Sequence, residues 1–160
     1  MARAFIGLGG NLGNVRQTLG AAIDRLAGHP GVALVGRSRL YRTPPWGPVA
    51  QPDFLNAVIA VDTTLDPHAL LDVLLDTERA FGRVRDGERW GPRTLDLDLL
   101  VHGDAVIHDE RLDLPHPRIA ERAFVLLPLA DLDPGYVIRG RGTVANLLET
   151  LGAQGCEVLS

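Results

Sequence analysis

The sequence predicts a single α+β domain over residues 1–160, and three observations lead to that class. Strand-length apolar runs occur together with segments whose apolar residues keep helical spacing. These segments do not alternate strictly, as the strands and helices of a parallel α/β fold do. No internal repeat, low-complexity tract or linker divides the chain, and 160 residues are enough to form one hydrophobic core.

The first half of the chain is expected to contain a strand, a helix and two more strands. The first strand leads into a glycine-rich stretch that lacks GxGxxG spacing, because Leu12 occupies the position of the third glycine. We expect a turn there that lets the chain approach another group closely. Asn14 is the expected N-cap of the helix, which ends at Gly28. The predicted strands are residues 2–8, 32–41 and 54–61, with a stiff proline loop at 43–48.

The second half is expected to contain a helix, a strand and two further helices. Asp66 and Pro67 are the predicted N-cap and first residue of the helix, and Gly82 ends it. The remaining elements are a strand at 95–101 and helices at 117–132 and 144–151. The resulting order, β-α-β-β-α-β, is that of a ferredoxin-like sandwich with additional C-terminal helices.

The composition excludes several classes of function. All 16 lysine-or-arginine positions are arginine, so a P-loop lysine, a protein-kinase lysine and a Schiff-base lysine are excluded. The net charge of −4 argues against a nucleic-acid-binding protein. The one cysteine, Cys156, excludes an intrachain disulfide and is interpreted as incidental. No apolar run is long enough for a signal peptide or a membrane span, so we expect a cytoplasmic, monomeric protein without membrane contact.

Two acids stand on a predicted strand, in the sequence Leu95-Asp96-Leu97-Asp98. Because successive side chains of a strand point to opposite faces, Asp96 and Asp98 share one face. Carboxylates at this spacing suit Mg²⁺ shared with phosphate oxygens, as in a two-metal phosphoryl-transfer site. The alternative is a solvated strand face with two ordinary acids.

Four arginines and a tryptophan directly precede these acids. They are Arg83, Arg85, Arg89, Arg93 and Trp90. The planar guanidinium group binds phosphate oxygens in pairs, and the tryptophan can cover a base. A positive loop beside a metal-binding strand indicates phosphoryl transfer. The alternative is a charge-balanced surface loop.

Four other positions are less decisive on their own. Asn56 is a polar residue within an apolar strand, where its amide needs a backbone or ligand partner. His116 lies between two prolines, and a lone histidine is more often a surface residue than a catalytic one. Phe54 and Phe124 are more often core residues than stacking platforms.

Five motifs resemble one known family, the 6-hydroxymethyl-7,8-dihydropterin pyrophosphokinases of folate biosynthesis. They are YRTPP at 41–45, QPDFLNA at 51–57, GRVR at 82–85, RWGPRTLDLDLL at 89–100 and LPHP at 114–117. The resemblance runs in order from the glycine-rich stretch to about Pro128. It implies a ferredoxin-like fold and transfer of the β,γ-pyrophosphoryl group of ATP to the pterin hydroxymethyl group, releasing AMP.

The resemblance also implies a role for each matching residue. Two Mg²⁺ ions would be bound by Asp96 and Asp98, and Arg83 and Arg93 would stabilise the transferred phosphates. The implied ATP-binding residues are Glu78, Arg85, Trp90, Leu99, His116 and Arg122. The implied pterin-binding residues are Thr43, Pro44, Pro45, Trp46, Phe54, Asn56 and Phe124. In that set Asn56 would pair with the polar edge of the pterin, and the two phenylalanines would enclose its ring.

The chain departs from the family pattern at Gly10, Leu75, Asp86 and Pro117, none of which is an implied metal ligand. Two rival functions remain open on the residues alone. An RNA-binding module would need exposed aromatic residues on a central strand and a basic face. A metal-dependent phosphohydrolase would use the same acids with water as the nucleophile.

Overall fold

The structure is a computed structural model that describes residues 1–45, 47–48, 50–82 and 94–159. Helices and strands both occur, so the predicted α+β class is confirmed. The strands are β1 (Ala2–Gly10), β2 (Val32–Arg37), β3 (Tyr41–Thr43), β4 (Phe54–Thr63), β5 (Asp96–His102), β6 (Ile107–His108), β7 (Asp113–Leu114), β8 (Val137–Ile138), β9 (Gly142–Thr143) and β10 (Glu157–Val158). The helices are α1 (Val15–Ala27), α2 (Pro67–Ala80), α3 (Ala123–Leu132) and α4 (Val144–Leu151).

A six-stranded antiparallel sheet forms the centre of the molecule. Its strand order is β10-β3-β4-β1-β5, and β2 also pairs with β4. Strand β1 therefore lies between β4 and β5 from Ala4 to Gly9. The finer assignment to a ferredoxin-like sandwich remains a prediction.

Helices cover both faces of the sheet and produce two hydrophobic cores. The first core joins α1 and α2 to one face, where Ile6, Ile59 and Leu99 are buried. The second joins α3 and α4 to the opposite face, where Val58 and Leu100 are buried. The alternation of strand side chains thus assigns neighbouring residues to different cores. None of the helices in the described part of the chain is long and apolar enough to cross a membrane.

The predicted helix starts at Asn14 and Asp66 are confirmed. The Asn14 side chain accepts a hydrogen bond from the backbone N–H of Gln17, and the Asp66 side chain accepts one from Ala69. These bonds satisfy N–H groups that have no partner within the first helical turn. Both helices consequently begin where the capping residues predict.

Three predicted boundaries are wrong. Strand β1 continues through the glycines to Gly10, so the turn begins later than expected. The expected strand at 32–41 is interrupted because Ser38 Oγ accepts the N–H of Val58, in place of a backbone carbonyl. Helix α3 begins only at Ala123, since residues 116–121 form turns closed by bonds from Ile119 to His116 and from Glu121 to Arg118.

Candidate active site

Two rows of residues cross three adjacent strands on the face that α3 partly covers. In the first row Gly9 of β1 lies between Asn56 of β4 and Asp96 of β5. In the second row Gly7 lies between Val58 and Asp98. The middle strand therefore contributes no side chain to this part of the face, and open space separates the amide from the two acids.

A cavity of about 360 Å³ lies over these rows. Its walls come from β1, β3, β4, β5 and the segment that leads into α3. Of the predicted site residues, the cavity is lined by Thr43, Phe54, Asn56, Asp96, Asp98, Arg122 and Phe124. The fold thus brings together residues that are separated by up to 81 positions in the chain.

The Asn56 amide is fixed by its neighbours. Asn56 is 8% exposed, and its Nδ2 donates a hydrogen bond to Thr43 Oγ1 at 2.9 Å. A Cβ atom built on Gly9 would lie 2.5 Å from Asn56 Oδ1, which is closer than real atoms approach. Only glycine at position 9 leaves room for the amide in this orientation. The amide therefore presents a preorganised polar edge to the cavity.

The two phenylalanines line the cavity with partly exposed rings. Phe124 also packs against the second core, and the Arg122 guanidinium carbon lies 5.4 Å from the centre of its ring. A cation at this distance is attracted to the face of the ring. Phe54 lies at the opposite wall, next to Thr43 in the β3–β4 register. Both rings are available to contact a flat ligand.

The two acids are placed on one face of β5, as predicted. Asp96 is partly buried and Asp98 is exposed. Between them, the backbone N–H of Leu97 points away from β1 and donates to Glu78 Oε2 at 2.8 Å. Glu78 lies on α2 and is 1% exposed. This buried carboxylate satisfies an N–H on the outer edge of the strand, which would otherwise lack a partner.

His116 and Arg122 lie on the α3 side of Asp98. Burial lowers the pKa of His116 below its usual value of 6.5. The Asp98 carboxylate raises this pKa and Arg122 lowers it, but the effect of burial is the largest. The neutral ring accepts the N–H of Arg118 at Nδ1, 3.2 Å away, so its proton lies on Nε2. Burial also lowers the pKa of Arg122, while Asp98 raises it. Asp98 thus attracts two groups that can donate to an anion.

The other predicted site residues either fall outside the described residues or do not line the cavity. Trp46, Arg83, Arg85, Trp90 and Arg93 fall outside the described residues. The side chain of Leu99 is buried in the first core and does not line the cavity. Glu78, Pro44, Pro45 and His116 do not line the cavity either.

Sequence reasoning missed nine residues that line the cavity, and Gly7, Gly9, Arg118 and Glu121 are among them. The two glycines could have been recognised from the sequence. They stand two residues apart, as Asp96 and Asp98 do on the neighbouring strand, and residues at this spacing share one face of a strand. Arg118 and Glu121 lie in the segment expected to be helical, and no local pattern separates them from a solvated helix face.

The fold and the cavity, with phenylalanine, amide and carboxylate side chains in its lining, define a small α+β domain with a ligand-sized site. The family model described as 7,8-dihydro-6-hydroxymethylpterin-pyrophosphokinase (HPPK) matches residues 5–134. The chain belongs to this family. The pyrophosphokinase activity predicted from the sequence is thereby confirmed.

Individual relatives agree. A 2-amino-4-hydroxy-6-hydroxymethyldihydropteridine pyrophosphokinase from Methylorubrum extorquens is 51% identical over 157 residues, which cover 98% of each chain. A protein of the same name from Pseudomonas aeruginosa is 45% identical and covers 98% of this chain and 96% of its own. A Plasmodium falciparum HPPK-DHPS crystal structure superimposes with a TM-score of 0.75 at 16% identity, over 93% of this chain and 45% of that one. At this identity the superposition supports the fold alone.

Proposed function

We propose that this chain performs the reaction of its family, transfer of pyrophosphate from ATP to 6-hydroxymethyl-7,8-dihydropterin, in the cavity between Asn56 and the two acids. The observation that carries the proposal is the register of β4, β1 and β5. It places a fixed amide and a pair of carboxylates at opposite sides of a floor made of glycine. The two sides suit two different substrates, which must meet between them.

The amide side is proposed to bind the pterin. A reduced pterin is a flat heterocycle with donors and acceptors on one edge, and it needs stacking faces and an in-plane polar partner. Phe54 and Phe124 supply the faces, and Asn56 supplies the partner. Because Thr43 already orients the amide, little conformational entropy is lost when the ligand binds. Trp46, Pro44 and Pro45 are proposed to close the same pocket.

The acid side is proposed to bind ATP together with Mg²⁺. Within residues 1–82 and 94–159, apart from 46 and 49, no cluster of three or more metal-binding side chains occurs. Asp96 and Asp98 both line the cavity, and their carboxylates fit Mg²⁺, which keeps waters and phosphate oxygens among its ligands. We propose two ions, both bound by Asp96 and Asp98. When bound, Mg²⁺ neutralises the phosphate charge and favours the ionised form of the attacking hydroxyl.

The remaining polar groups are proposed to hold the phosphates in line. His116 Nε2–H and Arg122 donate to phosphate oxygens or the ribose, and Arg83 and Arg93 stabilise the charge on the transferred group. Glu78 acts on the nucleotide side through the β5 backbone, and Arg85 and Trp90 cover the nucleotide. The pterin hydroxymethyl oxygen bonds to the β-phosphorus, the bond between that phosphorus and the α-phosphate oxygen breaks, and AMP leaves.

The test is release of AMP from ATP, measured with and without the pterin. We expect AMP only when the pterin is present. ADP as the product would contradict pyrophosphoryl transfer, and nucleotide hydrolysis without pterin would support the phosphohydrolase alternative. Asp98→Ala should abolish turnover, whereas Asp104→Ala, an exposed acid in the turn after β5, should be close to the unchanged protein. Near-normal turnover of Asp98→Ala would contradict the proposed metal site.

A further inference from the structure

The C-terminal segment, residues 154–158, contacts both walls of the cavity although it lies beyond the family match, which ends at residue 134. One wall is the start of α3, with Arg122 and Phe124. The other wall is the β3–β4 side, with Thr43 and Asn56. Neither the sequence motifs nor the proposed chemistry assigns this segment a role.

The segment reaches the α3 wall through one side chain. Gln154 Oε1 accepts a hydrogen bond from the backbone N–H of Ala123 at 3.0 Å, and Gln154 Nε2 donates to the carbonyl oxygen of Glu121 at 3.4 Å. The N-cap residue, Arg122, provides no side-chain cap of its own. Gln154 therefore caps α3 from a distant part of the chain, and its two bonds flank Arg122.

The segment reaches the other wall through its next residues. Strand β10 pairs with β3, and Cys156 Sγ lies 3.6 Å from Thr43 Oγ1, the atom that orients Asn56. Cys156 is 9% exposed, so this contact lies in the protein interior. Gly155 faces Pro44 so closely that a Cβ atom there would lie 3.3 Å from the proline ring.

Helix α3 is consequently held to the β3 side at both ends. At its C-terminal end Asp131 accepts hydrogen bonds from Arg39 and from the Tyr41 hydroxyl. At its N-terminal end, the connection runs along the backbone from Gln154, which bonds to α3, to Cys156, which contacts β3. We call this connection, residues 154–156, the tie. Gln154 has a φ of +51°, a left-handed conformation uncommon for residues other than glycine. The backbone adopts it at the point where the chain turns from one wall to the other.

We propose that Gln154 is a positioning residue for pterin binding, because it fixes the distance between the aromatic wall at Phe124 and the amide wall at Asn56. This inference rests on the proposed function, which assigns the pterin to those two walls. The acid side of the cavity takes no contact from residues 154–158 among the hydrogen bonds of the described residues. Loss of the tie should therefore weaken pterin binding more than ATP binding, which Gln154 can affect only through Arg122, the residue between its two bonds.

The experiment compares Gln154→Ala with Gln154→Glu and with Gln17→Ala. The glutamate keeps an oxygen acceptor for Ala123 but loses the donor to Glu121. Gln17 is an exposed residue of α1 far from the cavity lining, so its variant is the matched control. Equilibrium dissociation constants for the pterin and for ATP are measured separately by ligand titration. Urea unfolding then reports stability.

We expect Gln154→Ala to weaken pterin binding about tenfold, because it removes both bonds to the α3 wall and one lost hydrogen bond already corresponds to a factor of up to about ten. ATP binding should weaken by a clearly smaller factor, Gln154→Glu should bind the pterin with an intermediate affinity, and Gln17→Ala should bind both like the unchanged protein. Cys156→Ala, at the other end of the tie, should show the same selectivity. If Gln154→Ala does not fold, the two dissociation constants of Cys156→Ala decide whether the tie positions the pterin site.

Two results would overturn the positioning role. In one, stability falls but pterin affinity does not, which makes Gln154 a helix cap only. In the other, both ligands are weakened equally, which means that the whole cavity is disturbed. Failure of the proposed function is separable, because the unchanged protein would then show no pterin-dependent AMP release.

Discussion

Gly9→Ala is expected to weaken pterin binding by displacing Asn56. The added Cβ would meet Asn56 Oδ1 at 2.5 Å, whereas carbon and oxygen in ordinary contact are separated by at least 3.4 Å. The amide must therefore move by about 1 Å, which breaks its 2.9 Å bond to Thr43. Leaving a buried polar group without its partner costs about 1–3 kcal/mol. We expect a loss of that size in unfolding free energy and at least about a tenfold loss in pterin affinity.

Gly7→Ala is the matched control, since it adds the same methyl group to the same face of β1 two residues away. Its nearest neighbours, the methyl carbons of Leu100, would lie at 3.7 Å, which is an ordinary contact. Urea unfolding should show a much smaller change than for Gly9→Ala. Titration with pterin and with ATP should show that Gly9→Ala is selective for the pterin.

A double-mutant cycle with Asn56→Ala tests the cause directly. Without the amide oxygen the clash no longer exists, so Gly9→Ala in that background should have little further effect on stability or on pterin binding. If the effects of the two substitutions simply add, steric displacement of Asn56 is refuted.

Two further predictions concern buried polar groups. Glu78→Ala should lower stability by about 1–3 kcal/mol and raise the Mg²⁺ concentration needed for AMP release, because the N–H of Leu97 loses its acceptor, whereas Glu78→Gln should retain most activity. Equal Mg²⁺ curves for the two variants would contradict this. Burial raises the pKa of Asp131, but hydrogen bonds from Arg39 and Tyr41 outweigh it, so the pKa is lowered from 3.8. The contribution of Asp131 to stability is therefore fully present above pH 3.8 and is lost as the pH falls through the lower pKa of the folded state. Tyr41→Phe should lower the free energy of unfolding by about 1.5–3 kcal/mol at pH 7. Because the pKa of Asp131 is then less depressed, the stability measured by urea unfolding should also fall less as the pH is lowered. An unchanged pH profile would contradict the assignment.

The elements predicted from the sequence were those fixed by local interactions. Asn14 and Asp66 cap helices through residues three positions away, so their signal lies within one turn of chain. The interruption at Ser38 depends on Val58 in another strand, and the start of α3 at Ala123 is capped by Gln154, 31 positions away. Such contacts cannot be identified from a short window of sequence.

The same distinction applies to the candidate site. The acids at 96 and 98 were recognised because a strand places them on one face, whatever the rest of the fold. Glu78 was assigned to the nucleotide only by resemblance, and its bond to Leu97 joins residues 19 positions apart. Gln154 bonds to Ala123 across 31 positions, and no motif marks it. Positioning residues escape sequence reasoning because their role lies in which distant backbone group they meet.

The glycines of β1 explain why a strand can be the floor of this cavity. Glycine weakens a strand, since it packs no side chain and loses more entropy on folding. Here Gly9 leaves a gap between Asn56 and Asp96, which are separated by two strand intervals, or about 9.5 Å. A side chain at position 9 would divide that gap. The stability sacrificed in the middle strand thus keeps the amide and the acids in one cavity, where a two-ring heterocycle held at the amide can extend its hydroxymethyl group toward the acids.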